Sequence, residues 1–183
     1  HLACVVLGEN ISEMNKDLIA FGADKVYAAQ DSSLKSFQVH LYSDALTEMA
    51  QTYRPDVILI GATRSGLELA PRLAERLKTG SCTESSKLDV DTERNCVVAD
   101  RLVLGGNMSE TLIIRSKPQV FTIPKGVFQP LAKDPNRAGE IIQVQVKIGE
   151  SPVRVLDRKP KEFAGVRITE AEAIVSFGRG LKK

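Results

Sequence analysis

The sequence has few of the side chains from which disulfide frameworks and metal sites are built. Its three cysteines are Cys4, Cys82 and Cys96, an odd number with no closely spaced pair. A disulfide framework or a CxxC metal site is therefore not expected, and a reducing compartment is the better prediction. The two histidines, His1 and His40, are too few for a histidine-rich zinc site. We therefore predict no metal.

The chain also lacks a strong charge of either sign and any long apolar run. Its formal net charge is +2, and no basic block alternates with aromatic residues, so nothing favours a nucleic-acid partner. The apolar runs are far shorter than a membrane span and no signal peptide is visible, which predicts no insertion into a membrane. With 43% hydrophobic residues, the 183-residue chain can form one medium domain, or one domain and the edge of another.

The stretch Asp56–Leu77 carries the clearest structural pattern. It opens with the apolar run Val57–Ile60, which is typical of a strand buried on both faces of a parallel sheet. The small residues of Gly61–Gly66 then allow a tight turn. After the turn, apolar side chains recur at helical spacing at positions 69, 70, 73, 74 and 77. Strand, turn and amphipathic helix together predict half of a βαβ unit, in which ligands gather at the carboxyl end of the strand.

The preceding residues repeat this alternation of strand and helix. Leu2–Leu7 is predicted as a buried strand, and Asn10 as the cap of a helix that runs to Phe21 with Met14 on its apolar stripe. Asp24–Ala29 is a second strand candidate, and a helix follows from about Gln38 to Tyr53. The order β-α-β-α-β-α predicts an α/β fold: a mostly parallel, Rossmann-like sheet with helices on both faces.

The second half has a different pattern, with short β-type runs and no further long amphipathic helix. We expect antiparallel hairpins there that extend the edge of the parallel sheet. The runs lie at Cys96–Leu104, Thr111–Ile114, Val120–Ile123, Glu140–Gln145 and Val153–Leu156.

The last residues favour a division into domains. We expect an α/β domain over 1–156 and a linker over 157–167, where charged residues and proline concentrate. A fresh strand is predicted at Ile168–Ser176. Gly178-Arg-Gly180 then resembles the first turn of another nucleotide-binding unit, so the chain is expected to be a piece of a longer protein.

No residues form a recognisable catalytic group. Gly61–Gly66 either lets a phosphate approach the backbone at a helix start or serves turn geometry alone, and geometry is favoured because its spacing fits neither GxGxxG nor Walker A. Gly105-Gly-Asn107 is either a plain hairpin turn or a loop that faces a ligand or partner. Cys82 has no histidine base nearby in sequence and is expected to be a packed residue. His40 is expected to face solvent.

Several short motifs, taken in order, resemble the electron transfer flavoprotein alpha subunit. Each motif is weak alone, but their order and separation extend across most of the chain. The motifs are Gly61-Ala-Thr63, Leu69–Leu77, Thr79-Gly80, Cys82-Thr83, Gly105-Gly-Asn107, Pro118-Gln119, Pro124–Phe128 and Val175–Lys182. The sequence departs from the usual family pattern at Leu67-Glu68, at Leu104 where an aromatic residue is common, and at Phe177 where glycine is usual.

The resemblance implies a fold, a cofactor and a partner. The family's N-terminal domain has an adenine-nucleotide-hydrolase-like α/β fold that packs against the beta subunit. FAD lies in a separate C-terminal domain, whose start would correspond to 168–183, and Arg179 with its neighbours Gly178 and Gly180 would help to bind it. The family's first strand and helix and most of its FAD domain have no counterpart here. This chain alone is therefore not expected to hold FAD tightly.

The function implied by the resemblance is electron carriage and not conversion of a substrate. FAD in the full-length protein would take electrons from dehydrogenases and pass them to a quinone oxidoreductase or another acceptor. The location would be the prokaryotic cytoplasm or the mitochondrial matrix. One alternative is a stand-alone adenine-nucleotide-binding module of the universal-stress-protein type. Another is an oligomeric scaffold in which the β-rich half forms a homodimer.

Overall fold

A computed structural model describes residues 1–157, 159, 168, 171–178 and 180. The chain divides into two compact units, His1–Val153 and Arg154–Lys183. The first unit holds three helices, α1 (Ser12–Ala20), α2 (Val39–Tyr53) and α3 (Arg64–Arg76). Its strands are β1 (Ala3–Gly8), β2 (Lys25–Gln30), β3 (Val57–Gly61), β4 (Ser81–Cys82), β5 (Ser85–Asp91), β6 (Cys96–Val103), β7 (Met108–Ile113), β8 (Gln119–Ile123) and β9 (Glu140–Gln143).

The parallel strands form two three-stranded sheets, ordered β1-β2-β9 and β3-β8-β4. Val5 pairs with Tyr27 between β1 and β2, and Leu59 pairs with Phe121 between β3 and β8. The helices α1, α2 and α3 connect successive parallel strands, as the order β-α-β-α-β-α predicts. The predicted mixed α/β fold with a largely parallel arrangement is confirmed.

The antiparallel hairpins are also confirmed, but they form a sheet of their own, ordered β5-β6-β7. The runs at Val120–Ile123 and Glu140–Gln145, which we expected among the hairpins, belong instead to β8 and β9. Both of these strands pair in parallel, β8 with β3 and β4, and β9 with β2. The hairpin sheet is thus an insertion between β4 and β8, and β8 and β9 again belong to the parallel sheets.

The second unit shows no strand among the residues that the structure describes there. The strand predicted at Val153–Leu156 is wrong, because these side chains are exposed and no neighbouring strand pairs with them in the described part of the chain. Residues 171–176 are likewise not in a strand, whereas 169 and 170 of the predicted Ile168–Ser176 strand lie outside the described residues. Most of the predicted linker also lies outside them.

Three apolar clusters form the core of the first unit. The first lies between α1, β1 and β2, the second between α3, β3 and β8, and the third between β8 and the hairpin sheet. Phe121, at the centre of β8, is fully buried in the third cluster. Four of the five apolar positions predicted for helix α3 are buried, whereas Leu77 is its C-cap residue and is half-buried; the four are Leu69, Ala70, Leu73 and Ala74. No described helix is long and apolar enough to cross a membrane.

Two burial predictions are wrong. Leu59 of β3 is 54% exposed although its run was expected to be buried on both faces. Strand side chains project from the faces of a sheet, so this exposure means that the described residues leave this face of β3 partly uncovered at Leu59. Met14 of α1 and Phe21, its C-cap residue, are exposed, and Asn15 is buried. The buried residues of α1 are Asn15, Ile19 and Ala20, so its buried face differs from the expected stripe.

The side chain of Gln119 joins β8 to the hairpin sheet. Its Oε1 accepts a hydrogen bond from the Val97 N–H at 2.7 Å. Its Nε2 donates to the carbonyl oxygens of Val97 and Ile114 at 3.0 and 2.8 Å. Gln119 is 1% exposed, and the β6–β7 pairing ends at the adjacent pair of Val98 with Ile113. The side-chain amide of Gln119 therefore hydrogen-bonds to Val97 of β6 where a further peptide group of β7 would otherwise do so.

Candidate functional site

The turn after β3 is the position where an α/β fold of this kind places a ligand. Helix α3 begins at Arg64, and the Oγ1 of its N-cap Thr63 accepts a hydrogen bond from the Gly66 N–H at 3.1 Å. A Cβ on Gly66 would lie 1.9 Å from the carbonyl oxygen of Gly61, so no side chain fits there. The glycine at position 66 is therefore required by close approach of strand and helix. Its N–H, one of those that would face an anion, is already bonded within the turn.

The hairpin between β6 and β7 has an unusual turn. Val103 pairs with Met108, and the intervening Leu104, Gly105 and Gly106 all have positive φ angles of 52°, 67° and 89°. The side-chain amide of Asn107 donates to the Leu104 carbonyl oxygen at 2.9 Å and closes the turn. The turn connects β6 to β7, as its chemistry predicts. It also holds a leucine in a conformation that leucine rarely adopts.

Two cavities lie near the start of β8. One has a volume of about 460 Å³ and is lined by Arg94, Cys96, Arg115 and Gln119 among others. The second, of about 520 Å³, is lined by residues that include Arg54. Lys117 lines both cavities, and its Nζ donates to Asp56 at 2.6 Å. Neither cavity brings together a nucleophile and a base.

The surroundings of Cys4, Cys82 and His40 do not indicate a catalytic role. Cys82 is 1% exposed, which confirms the expectation of a packed residue, and its Sγ accepts a hydrogen bond from Ser85 at 3.4 Å. Burial raises the pKa of the Cys4 thiol, which opposes formation of a reactive thiolate. His40 lies in the first turn of α2 and is half-buried, with an Nδ1 that has no hydrogen-bond partner, so its prediction as solvent-facing is wrong. No metal-binding group of side chains occurs among the described residues.

The residues expected at a flavin site lie in the second unit. Gly178 and Gly180 are exposed, and among the described residues no heavy atom beyond their chain neighbours lies within 4 Å of a Cβ built on either. Arg179 lies outside the described residues. Packing against the described residues therefore does not require glycine at positions 178 and 180, and those residues do not enclose a cofactor around them.

Sequence reasoning missed the role of Gln119. A signal was present, because a polar Gln at the start of the otherwise apolar run Val120–Ile123 needs partners if it is buried. The identity of those partners, Val97 and Ile114, depends on how two sheets pack and was not visible in the sequence.

The comparisons with known proteins agree on one family. The electron transfer flavoprotein domain family model matches residues 1–148. The electron transfer flavoprotein subunit alpha of Thermoanaerobacterium thermosaccharolyticum is 38% identical over 99% of this chain and 56% of that protein. The same subunit of Clostridium acetobutylicum is 36% identical over 98% of this chain and 55% of that protein.

Another relative is named as a subunit of a dehydrogenase. The subunit LctC of the NAD⁺- and ferredoxin-dependent lactate dehydrogenase of Acetobacterium woodii is 32% identical over 97% of this chain and 43% of that protein. The chain spans about half the length of these curated relatives. The matches do not support the universal-stress-protein alternative. With a family match over most of its length and an α/β architecture that agrees with it, the chain belongs to the electron transfer flavoprotein domain family.

Proposed function

We propose that this chain is part of an electron transfer flavoprotein alpha subunit that carries electrons on FAD from dehydrogenases to a quinone oxidoreductase or another acceptor. The single observation behind the proposal is the similarity to alpha subunits, which covers 97–99% of this chain in its relatives from three organisms. When bound, FAD supplies the redox chemistry, and the protein positions the flavin and tunes its potential. The protein is then an electron carrier and not an enzyme that converts a substrate of its own.

Within that protein, residues 1–156 serve as a scaffold that binds the beta subunit, and 157–167 link it to the FAD domain that starts at 168–183. The FAD contacts assigned to this chain come from Gly178, Arg179 and Gly180. The two described glycines fit this role because their backbone is accessible and is not held by neighbouring side chains. Arg179 would provide a cation for the cofactor's phosphate or flavin oxygen atoms. Since the described residues form no enclosed pocket around the two glycines, most of the FAD site would come from other parts of the protein.

The three free cysteines are compatible with a reducing location, and we propose the prokaryotic cytoplasm or the mitochondrial matrix. The partners would be a beta subunit, the electron-donating dehydrogenases and the acceptor.

Flavin content tests the proposal directly. The 183-residue chain is purified alone, and the full-length subunit is purified with its cognate beta subunit. Visible absorbance then measures flavin per protein. We expect a colourless short chain and a yellow complex. A short chain with stoichiometric FAD would contradict the scaffold role, and a complex without flavin would overturn the electron-carrier role.

A matched pair of variants tests the assigned residue. Arg179→Ala in the full-length complex should lower FAD occupancy, and Arg154→Ala, which removes an exposed arginine elsewhere in the second unit, should leave occupancy unchanged. Equal occupancy in both variants would remove Arg179 from the site.

A further inference from the structure

The cavity of about 460 Å³ has an excess of positive charge in its walls. Arg94, Arg115 and Lys117 line it, and no Asp or Glu does so among the described residues. The whole chain is nearly balanced, with 25 Lys and Arg residues and 23 Asp and Glu residues. The second cavity differs, because Asp56 lines it beside its cations. We call the 460 Å³ cavity the basic cavity, and its charge favours an anionic ligand.

Two connections of the hairpin sheet form the basic cavity. Arg94 lies in the turn between β5 and β6, and the other two cations lie between β7 and β8. The buried side chain of Gln119 fixes both connections, because it hydrogen-bonds to the Val97 N–H at 2.7 Å and to the Ile114 carbonyl oxygen at 2.8 Å. The walls are therefore held in place before a ligand binds, which lowers the entropic cost of binding.

The three cations differ in their existing partners. Arg115 makes no ion pair with another described residue. Lys117 Nζ lies 2.6 Å from Asp56 Oδ1, and Arg94 Nη1 lies 3.3 Å from Asp91 Oδ2. Neither aspartate lines the basic cavity. Because both paired cations are exposed to solvent, these ion pairs are weak and leave positive charge for a ligand.

The basic cavity also has an apolar side. Ile113 and Ile114 line it, and Ile113 is 39% exposed. Sites for small molecules have volumes of about 300–1,000 Å³ and combine apolar walls with a few placed polar groups. A lone phosphate or carboxylate group would fill only a small part of the basic cavity. Its size and walls therefore fit an anionic group that is attached to an apolar body.

We propose that the basic cavity binds a small organic anion. Arg115 holds the carboxylate or phosphate group, because a guanidinium presents its N–H donors in a planar fork that matches two oxygen atoms. Lys117 and Arg94 add positive charge, and the apolar part of the ligand lies against the two isoleucines. This inference does not rest on the proposed electron-carrier function, since it uses residues of the first unit alone. Failure of one would leave the other standing.

Calorimetric titration of the full-length protein with four probes tests the proposal. Phenyl phosphate and benzoate each join a phenyl ring to an anionic group, whereas inorganic phosphate lacks the ring and phenol is uncharged at pH 7. We expect phenyl phosphate or benzoate to bind at one site, at least tenfold more tightly than inorganic phosphate or phenol. The tighter of the two identifies the anionic group that the basic cavity prefers.

A matched pair of variants locates the binding. Arg115→Gln and Arg72→Gln each remove one exposed arginine, but Arg72 lies on α3 and does not line the basic cavity. Arg115→Gln should bind the preferred probe about tenfold more weakly or worse, as expected for loss of a hydrogen bond to a charged group. Arg72→Gln should bind it as the wild type does. Equal melting temperatures of the two variants would show that weaker binding does not reflect misfolding.

Four results would overturn the inference. Neither phenyl phosphate nor benzoate shows saturable binding, or phenol binds as tightly as they do. Inorganic phosphate binds as tightly as phenyl phosphate, so that the apolar part of the ligand has no role. Arg115→Gln binds the preferred probe no more weakly than Arg72→Gln does, which would mean attraction by overall charge or binding elsewhere on the protein.

Discussion

Replacement of Gln119 by methionine should weaken the junction between the parallel strands and the hairpin sheet. Methionine has nearly the same length and volume, so Gln119→Met changes hydrogen bonding and leaves no large cavity. It removes the partner of the Val97 N–H and one partner each of the Val97 and Ile114 carbonyl oxygens. All three bonds involve a side chain that is 1% exposed.

The expected loss is about 3 kcal/mol of unfolding free energy, since each of three hydrogen bonds contributes about 1 kcal/mol net. Gln119 also lines the 460 Å³ cavity, and water that enters there would replace part of the loss. For a chain of this size, 3 kcal/mol corresponds to a decrease of about 6–12 °C in melting temperature.

Urea denaturation followed by circular dichroism measures the effect, with an unchanged m-value as the sign that the unfolded state is unaffected. Gln143→Met, at an exposed position of β9, is the matched control and should change stability by less than about 0.5 kcal/mol. A Gln119→Met variant within the same limit would refute the assignment of Gln119 as the connection between the sheets.

Gln119→Glu probes the same site through pH. The carboxylate would face the two carbonyl oxygens that now accept from Nε2, so its pKa in the folded state should lie above its unfolded value. A raised folded pKa means that the protonated form is favoured in the fold, so stability is greatest below the unfolded pKa and falls as pH rises through the folded pKa. Relative to wild type, the variant should therefore be less destabilised at pH 4 than at pH 7.

Three further predictions concern other contacts. Gly66→Ala should destabilise the protein by about 3 kcal/mol or more, because the new Cβ would clash with the Gly61 carbonyl oxygen. Gly61→Ala is the control and should be tolerated, because nothing lies within 4 Å of its Cβ. Thermal denaturation of the two variants measures the difference. Thr122→Val should cost about 1–2 kcal/mol in urea denaturation because the Glu84 N–H loses its acceptor at 2.8 Å. The pKa of Asp24 is lowered, mainly by a backbone hydrogen bond, so its contribution is present above the unfolded pKa and disappears as pH falls through the folded pKa. The difference in urea midpoint between wild type and Asp24→Asn should accordingly shrink on acidification; an unchanged difference would contradict it.

Local patterns predicted most of the elements in the first half of the chain. The amphipathic spacing of α3 and the apolar runs of β1, β2 and β3 are local sequence patterns, and the structure forms a helix or strand at each of them. Element ends were less predictable. Asn10 was predicted as the cap of α1, but the helix begins at Ser12 and its N-cap is Ile11, which makes no side-chain cap hydrogen bond.

The candidate site was predictable to a smaller extent. Gly178, Arg179 and Gly180 come from resemblance to a family, and the described residues place no other functional group beside the two glycines. The hairpin turn at Gly105-Gly-Asn107 was visible as turn chemistry. That Leu104 is held at its apex with positive φ depends on the backbone of the folded hairpin.

The sequence by itself determined the α/β class, the alternation of strands and helices, and the presence of a hairpin region, because each is encoded in the spacing of neighbouring residues. Tertiary structure alone decided that β8 pairs with β3 and β9 with β2, and that Gln119 joins two sheets. It also decided that Leu59 is exposed and that Gly66 admits no side chain. These outcomes depend on contacts between residues far apart in sequence, and a local apolar pattern specifies neither which distant strand pairs with a run nor what covers each of its faces.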